Sequence, residues 1–252
     1  WPSTSTPRHG PGGLLERRWS ASPSSWVGRW PEVGWVADRG SGLVWQLAPD
    51  GRQGVFAQGR FSSLVAIAVN REDRSCWVSA GKTRGLYRID AEGDLRLIEL
   101  DLTSPGDLSI DSGSGIGWVA DLTRQRVFQF STRANIDSLG MTEVDASFEN
   151  PISLGAVGES CWIVDRPAGR VLLYDGAAAS RAGEWRGLDR PGRVAAFLSP
   201  AGDGLQEAWV FLGCSESPLR CAGSASNRKM RSSGLAFHAL SRSAHHPCIH
   251  LP

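Results

Sequence analysis

One short motif recurs along the chain at a nearly constant interval. Each copy begins with tryptophan, continues with small or β-branched residues, and in three of five copies ends on aspartate. The copies occupy residues 35–38, 77–80, 118–121, 162–165 and 209–212. Successive tryptophans stand 42, 41, 44 and 47 residues apart. A chain that repeats one strand-like motif at such an interval builds the same small unit several times.

The residues around the motif predict four short strands in each repeat. In the second repeat an apolar run at 64–69 precedes the motif strand at 76–79, and strand-like segments follow at 86–90 and 95–100. In four repeats the third strand is predicted to begin at the sixth residue after the end of the motif. Four-stranded units of about 42 residues are typical of β-propeller blades. The sequence therefore predicts an all-β propeller over 34–212, with four to five recognisable blades.

Outside 34–212 the repeat is not found. Residues 1–33 are rich in Ser, Pro and Arg and carry no strand or helix period, so we predict an irregular arm. Residues 213–252 show no turn–strand alternation, and we expect an irregular tail that is disordered or aberrant.

Composition narrows the class of protein but not its function. The net charge is +1, apolar residues make up 41% and charged residues 21%, which suits a globular core and favours no acidic or basic partner in bulk. No run of about 18 apolar residues is present, so we expect no membrane-spanning segment. No charged and then apolar leader follows Trp1, so we expect a soluble chain without a signal peptide, its compartment left open. Cys76 and Cys161 precede motif tryptophans and are expected to be buried structural thiols.

The repeats carry a further pattern. A strand ending in Val-x-Asp, a short turn with a basic residue and a Val-x-x-Phe strand occur at 117–121 with 126–130, and related segments lie at 34–38 and 161–165. This arrangement resembles the NHL-repeat and SMP-30/gluconolactonase-like propellers over residues 34–212. The resemblance implies a ring of six blades in full form, of which this chain shows at most five. Ala80 and Leu212 depart from the pattern, because both replace the aspartate.

The turns after the motif strands are rich in arginine. In a propeller these turns share one face with the loops that lead into each blade, so an arginine-rich rim is expected there. Guanidinium groups bind phosphate and carboxylate through paired hydrogen bonds. The aspartates that end the motifs, Asp38, Asp121 and Asp165, are expected to cap these turns. The candidate binding residues are Arg39, Arg84, Arg124, Arg126, Arg166 and Arg170.

Two functions remain open at this point. The first is a non-catalytic scaffold that binds a protein or another anionic macromolecule on the arginine-rich face, without a cofactor. The resemblance to NHL propellers extends this to RNA, but the loops lack aromatic residues for base stacking. The resemblance to SMP-30-like enzymes implies the alternative, a metal-dependent hydrolase of lactones or esters at the channel mouth. Its calcium or zinc ion would lie at Asp107 and Asn150, although a hard cation prefers more oxygen ligands than these.

Overall fold

The structure is a computed structural model that describes residues 34–56, 61–198, 206–212, 228–232 and 235–241, the last two ranges by their backbone. Within these ranges the regular structure is β, apart from one short 3-10 helix at Ile136–Ser138. The predicted arm at 1–33 lies outside the described residues.

The strands form five sheets, named here sheet 1 to sheet 5 in chain order. Sheet 1 contains β1 (Gly34–Asp38), β2 (Leu43–Leu47) and β3 (Gln53–Phe56). Sheet 2 contains β4 (Leu64–Asn70), β5 (Ser75–Ala80), β6 (Gly85–Ile89) and β7 (Leu95–Glu99). Sheet 3 contains β8 (Pro105–Asp111), β9 (Ile116–Asp121), β10 (Arg126–Ser131) and β11 (Met141–Glu143). Sheet 4 contains β12 (Pro151–Val157), β13 (Ser160–Asp165), β14 (Arg170–Asp175) and β15 (Ser180–Trp185). Sheet 5 contains β16 (Pro191–Leu198), β17 (Gln206–Leu212), β18 (Arg228–Ser232) and β19 (Leu235–Ser241).

Sheets 2, 3 and 4 are antiparallel meanders in which each strand pairs with the next along the chain. The motif strand is the second strand in each, so it has a partner on both edges. In sheet 3, for example, Trp118 lies opposite Ser109 on one side and Gln129 on the other. The predicted all-β architecture with four-stranded units is confirmed.

Sheet 5 departs from the meander. Its strand order is β16-β17-β19-β18, and β17 pairs with β19 in parallel. Both β18 and β19 fall within 213–252, where the sequence predicts an irregular tail, and the backbone of these two segments forms strands. The missed signal is the apolar run in Leu235–Ser241, whose sequence LAFHALS has no repeat motif beside it.

The core lies between successive sheets. The alternation of side-chain directions along the motif strand explains why one strand contributes to two layers of the core. Successive side chains of a strand point to opposite faces, so each motif tryptophan and the residue after it enter different layers. Trp77 packs toward sheet 3, where its ring centroid lies 5.2 Å from that of Phe130. Val78 belongs to the cluster shared with Val44 of sheet 1. Trp118 repeats the arrangement one sheet further on, 6.0 Å from Tyr174 of sheet 4.

The first strands of the sheets lie side by side. β1 contacts β4, β4 contacts β8, β8 contacts β12, and β12 contacts β16. In sheets 2 to 5 the first strand shows a register shift near its beginning, for example between Pro105 and Leu108. A bulge bends a strand and increases its twist, which suits the crowded inner edge of stacked sheets.

The two cysteines that were expected to be structural thiols are buried. Cys76 and Cys161 are fully enclosed among apolar side chains of the core. Burial raises the pKa of both thiols well above the usual range, because the thiolate would lose its hydration. Both are therefore inert packing residues.

Removing one motif tryptophan tests the role of the core. We expect Trp118→Ala to lower the free energy of unfolding by about 3–5 kcal/mol, because the cavity left by a fully buried indole cannot collapse completely. Leu97→Ala, at a side chain that is 40% exposed on the outer strand β7, should cost less than about 1 kcal/mol. Urea unfolding followed by tryptophan fluorescence measures both. Equal losses in the two variants would contradict the assignment of the core.

Candidate functional site

Two sets of loops meet at one end of the sheets. The first set joins each motif strand to the strand after it and comprises 38–43, 80–85, 121–126 and 165–170, and the second set leads into β4, β8, β12 and β16. Backbone hydrogen bonds connect them, since Gly81 N donates to Ser63 O at 2.9 Å and Leu122 N donates to Ser104 O at 2.9 Å. We call this end of the molecule the loop face.

One position in these loops has a positive φ, with glycine in two copies and Gln125, at φ 56°, in a third. Gly42 and Gly169 each stand four residues after a motif aspartate, with φ of 69° and 57°. A Cβ on Gly42 would lie 2.4 Å from the carbonyl oxygen of Phe61, so a larger residue would force the two loops apart.

The motif aspartates hold these loops in place. The carboxylate of Asp121 is fully buried and accepts hydrogen bonds from the backbone N–H groups of Thr123 and Arg124 in its own turn. It also accepts from Thr103 N at 2.6 Å and Ser104 N at 3.2 Å in the loop that leads into β8. One carboxylate therefore caps its turn, as predicted, and also fixes the neighbouring loop.

Asp38 shows the simpler arrangement. Its carboxylate accepts from Ser41 Oγ and from Gly40 N within the same turn. These hydrogen bonds, with that of Ser41 contributing most, hold the pKa of Asp38 below its usual range. The capping role predicted for the motif aspartates is confirmed here as well.

Arg170 is buried in an ion-pair network rather than placed on a rim. Its Nε and Nη2 donate to Asp165 Oδ2 at 3.0 and 2.9 Å, and Nη1 donates to Glu184 Oε1 at 3.2 Å. Nη2 also donates to the carbonyl of Ser147 in the loop that leads into β12. Burial opposes the charged guanidinium, but the hydrogen bonds to Asp165 and Glu184 together raise the pKa of Arg170. The guanidinium N–H groups of Arg170 therefore donate to acceptors within the protein, not to a ligand.

Arg124 and Arg126 are accessible but already paired. Arg124 Nη2 lies 2.8 Å from Asp101 Oδ1, and its Nη1 donates to the carbonyl of Asp101 at 2.6 Å. This contact lowers the pKa of Asp101, chiefly through the side-chain hydrogen bond. Arg126 Nε lies 3.1 Å from Glu143 Oε1. A ligand at either arginine would compete with a carboxylate of the protein itself.

Arg39, Arg84 and Arg166 differ from the other three. All are exposed on the loop face, in sheets 1, 2 and 4. In the part of the chain that the structure describes, no carboxylate lies within ion-pair distance of any of them. Arg166 Nε donates to the carbonyl of Pro191 at 3.2 Å, which orients that side chain. Of the six predicted arginines, these three can receive an anion without breaking an ion pair.

Two of the predicted arginines line one cleft. It has a volume of about 630 Å³ and lies between the outer parts of sheets 3 and 4. Arg126 and Arg170 line it together with Glu143, Asp145 and Arg181. The sequence did not indicate Arg181, because it lies on the weakly patterned strand β15. The mixed charge of the lining leaves no side of the cleft clearly basic or acidic.

Asp107 and Asn150 do not fit a divalent cation. Asp107 is buried on β8, where Oδ2 accepts from Leu154 N at 2.8 Å and Oδ1 lies 3.3 Å from Arg193 Nη1. Asn150 is exposed, and its backbone N–H donates to Asp165. Among the described residues, no three His, Cys, Asp or Glu side chains converge on one point. A hard cation takes six or more oxygen ligands, whereas both oxygens of Asp107 already face donors of the protein.

Polar side chains of the first strands and of one motif strand have another role that sequence reasoning missed. Ser79 Oγ donates to Gly106 O at 2.6 Å across sheets 2 and 3, and Asp107 and Ser109 on β8 accept from Leu154 N and Ala156 N on β12. Ser153 Oγ accepts from Val194 N at 3.2 Å across sheets 4 and 5. Single polar residues in otherwise apolar first strands were the available signal. They bind successive sheets to each other near the inner edge.

Comparison with known proteins supports the architecture. No protein-family model and no curated protein matches the sequence. Solved structures do match: a chain of a nidogen/laminin complex at 17% identity and TM-score 0.56 covers 66% of this chain and 64% of its own length. Virginiamycin B lyase from Staphylococcus aureus matches at 13% identity and TM-score 0.57, covering 71% of this chain and 58% of its own length. Kuenenia stuttgartiensis hydrazine synthase matches at 13% identity and TM-score 0.54, covering 69% of this chain and 51% of its own.

These likenesses show a β-propeller fold. At such identities they concern the fold alone. The chain spans about 51–64% of the length of these three solved chains. Within the described ranges, no helix is long and apolar enough to cross a membrane.

The buried arginine and a paired, exposed one should respond differently to substitution. Arg170→Met removes one partner of a buried ion pair and leaves Asp165 uncompensated, so we expect a loss of about 3–5 kcal/mol in the free energy of unfolding. Arg124→Met removes an ion pair with the exposed Asp101 and should cost at most about 1 kcal/mol. Chemical denaturation of both variants measures this. Similar costs for the two would show that Arg170 does not act as a structural residue.

Asp107 predicts a pH dependence. Burial raises the pKa of this carboxyl, and the Leu154 N–H and Arg193 offset only part of that effect. The folded protein thus holds the proton more tightly than the unfolded chain, so stability from this group falls as pH rises from the ordinary carboxyl range toward the raised pKa. Asp107→Asn removes the titration, and the variant should gain stability relative to the parent as pH rises from about 4. Urea midpoints at several pH values test this, and a constant difference would contradict it.

Proposed function

We propose that this propeller is a non-catalytic scaffold that binds an acidic protein segment on its loop face. The observation that carries the proposal is the set of three exposed guanidinium groups without a carboxylate partner among the described residues, Arg39, Arg84 and Arg166. A carboxylate ligand can form paired hydrogen bonds with such groups without displacing an internal ion pair. The resemblance to NHL-repeat propellers supports the same assignment, since some members of that class bind protein or RNA on this face.

Hydrogen bonds within the chain tie the loops of Arg84 and Arg166 to neighbouring loops. In the loop of Arg84, Gly81 N donates to Ser63 O at 2.9 Å. In the loop of Arg166, the buried carboxylate of Asp165 accepts from Asn150 N, and Arg166 Nε donates to Pro191 O. A preorganised surface loses less conformational entropy on binding than a flexible one. The face therefore suits recognition by fixed positive groups on a rigid frame.

An acidic protein segment fits this face better than a single-stranded nucleic acid. The four loops at 38–43, 80–85, 121–126 and 165–170 contain no aromatic side chain. Base stacking on aromatic residues supplies much of the affinity of single-strand binders, and here that contribution is missing. Carboxylate groups need only the guanidinium donors that the loops present.

The hydrolase alternative has less support. It requires Asp107 and Asn150 to hold a metal ion, yet the carboxylate of Asp107 already binds the Leu154 N–H and lies beside Arg193. Propellers serve as enzymes and as binding proteins alike, and the matched structures include a lyase and a protein complex, so the fold favours neither function.

A charge-matched pair of triple variants tests the proposal. Labelled polyglutamate is the probe, and binding is followed by fluorescence anisotropy at several salt concentrations. Replacing Arg39, Arg84 and Arg166 by Ser should weaken binding about tenfold and flatten its salt dependence, because three exposed charge pairs of up to about 1 kcal/mol each are lost. Replacing Arg52, Arg71 and Arg133 by Ser removes the same charge from turns at the opposite end of the sheets and should change binding less than about twofold.

If both triple variants weaken the binding of polyglutamate equally, the effect comes from net charge alone and the proposal is overturned. If a single-stranded oligonucleotide binds more tightly than polyglutamate and the loop-face variant loses that binding, the partner is a nucleic acid and not an acidic protein segment. A rise in melting temperature with calcium or zinc that Asp107→Asn abolishes would favour the hydrolase instead.

A further inference from the structure

The loop that leads into β8 carries an exposed carboxylate beside two of the predicted arginines. The side chain of Asp101 is 83% exposed, and its Oδ1 lies 2.8 Å from Arg124 Nη2. Leu100, the residue before Asp101, donates its N–H to the carbonyl of Arg84 at 2.9 Å, so the chain at this point runs beside the loop 80–85. Asp101 therefore lies where a loop of sheet 2 and a loop of sheet 3 meet.

Both arginines act on the Asp101 carboxylate. The hydrogen bond from Arg124 contributes most to holding the pKa of Asp101 below its usual range, and the charge of Arg84 adds to the effect. Within the described ranges Arg84 forms no ion pair, so its guanidinium attracts this carboxylate without being bound by it. The positive charges of two loops thus act on the same point of the loop face.

The contact between Asp101 and Arg124 can open without disturbing the loops. Arg124 Nη1 donates to the backbone carbonyl of Asp101 at 2.6 Å, and this hydrogen bond does not involve the carboxylate. When the carboxylate moves away, the carbonyl still holds the guanidinium in place and Nη2 becomes available. Exposed ion pairs contribute little to stability, because water screens them and holding both side chains costs entropy. A carboxylate from outside can therefore replace that of Asp101.

We infer that Arg84 and Arg124 form a subsite for one aspartate or glutamate side chain of the partner, and that Asp101 occupies this subsite in the free protein. The inference rests on the proposed function, because it identifies one contact point of the acidic segment on the loop face. The carboxylate of Asp101 shows which chemical group these guanidinium groups accept. A carboxylate of the partner makes the same charge-assisted hydrogen bonds.

Asp101 is then a competitor of the partner. A group that is tethered next to its site has a high effective concentration there, so it lowers the affinity for a ligand from solution. Removal of the competing charge should therefore strengthen the binding of an acidic segment. The gain should depend on Arg124, because without that guanidinium neither Asp101 nor the partner has a hydrogen-bond donor at this point.

A neutral side chain of the same size at position 101 provides the test. We expect Asp101→Asn to bind labelled polyglutamate about three- to fivefold more tightly than the wild type, which is the gain that an exposed ion pair accounts for. Asp94→Asn removes the same charge from an exposed residue between β6 and β7, at the opposite end of sheet 2, and should change binding less than about twofold. Fluorescence anisotropy at constant salt concentration measures each protein.

A double-mutant cycle assigns the gain to the subsite. In an Arg124→Met background Asp101→Asn should give no gain in affinity, and in an Arg84→Met background the gain should be smaller than in the wild type. All four side chains that are changed are exposed, and urea unfolding verifies that the variants are folded. A gain that persists in full without Arg124 would overturn the subsite, and so would equal gains from Asp101→Asn and Asp94→Asn.

The outcomes separate this inference from the proposed function. If the wild type binds polyglutamate through the loop-face arginines and Asp101→Asn does not change the affinity, the subsite is wrong and the proposed function stands. If neither the wild type nor Asp101→Asn binds polyglutamate, both are overturned. Tighter binding by Asp101→Asn that is lost with Arg124 supports both.

Discussion

The structure depends on apolar packing between successive sheets, in which one motif strand serves two layers. Trp118 faces sheet 4 and Val119 faces sheet 2, and neither is exposed. A buried indole removes roughly 150–250 Å² from water, which corresponds to several kcal/mol, and the internal sheets repeat the contribution. A sheet is fully stabilised only when it has a neighbour on both sides.

Hydrogen bonds from polar side chains then fix neighbouring sheets and loops relative to each other. Near the inner edge, Asp107 and Ser153 join backbones of neighbouring sheets, and on the loop face Asp121 fixes two loops with one carboxylate. These bonds satisfy backbone N–H groups of the first strands and of the loops that would otherwise be left unpaired. Burial decides the role of each arginine. Arg170 is buried in an ion pair with Asp165, whereas Arg166 is exposed and accessible to a partner.

Prediction from sequence succeeded where burial is complete on one or both faces. The strands β5, β9 and β13 carry the motif and are almost wholly buried, so their pattern is strong. The last strand of sheet 4, Ser180–Trp185, carries no such pattern. Most of that strand is exposed and polar at the outer edge, so the sequence had little reason to alternate there. The strands β18 and β19 have no motif strand beside them in sequence, so the repeat did not indicate them.

The sequence by itself determined the repeating β architecture, the positions of the motif strands and the capping role of their aspartates, because these depend on local alternation and turn chemistry. Only the tertiary structure decided which arginines are free, because ion pairs such as Arg170 with Glu184 and Arg124 with Asp101 join residues from different strands and loops. It also decided that Asp107 faces Arg193, 86 residues away, instead of a cluster of further carboxylates. Such contacts arise from how the sheets stack about one another, and no local pattern encodes them.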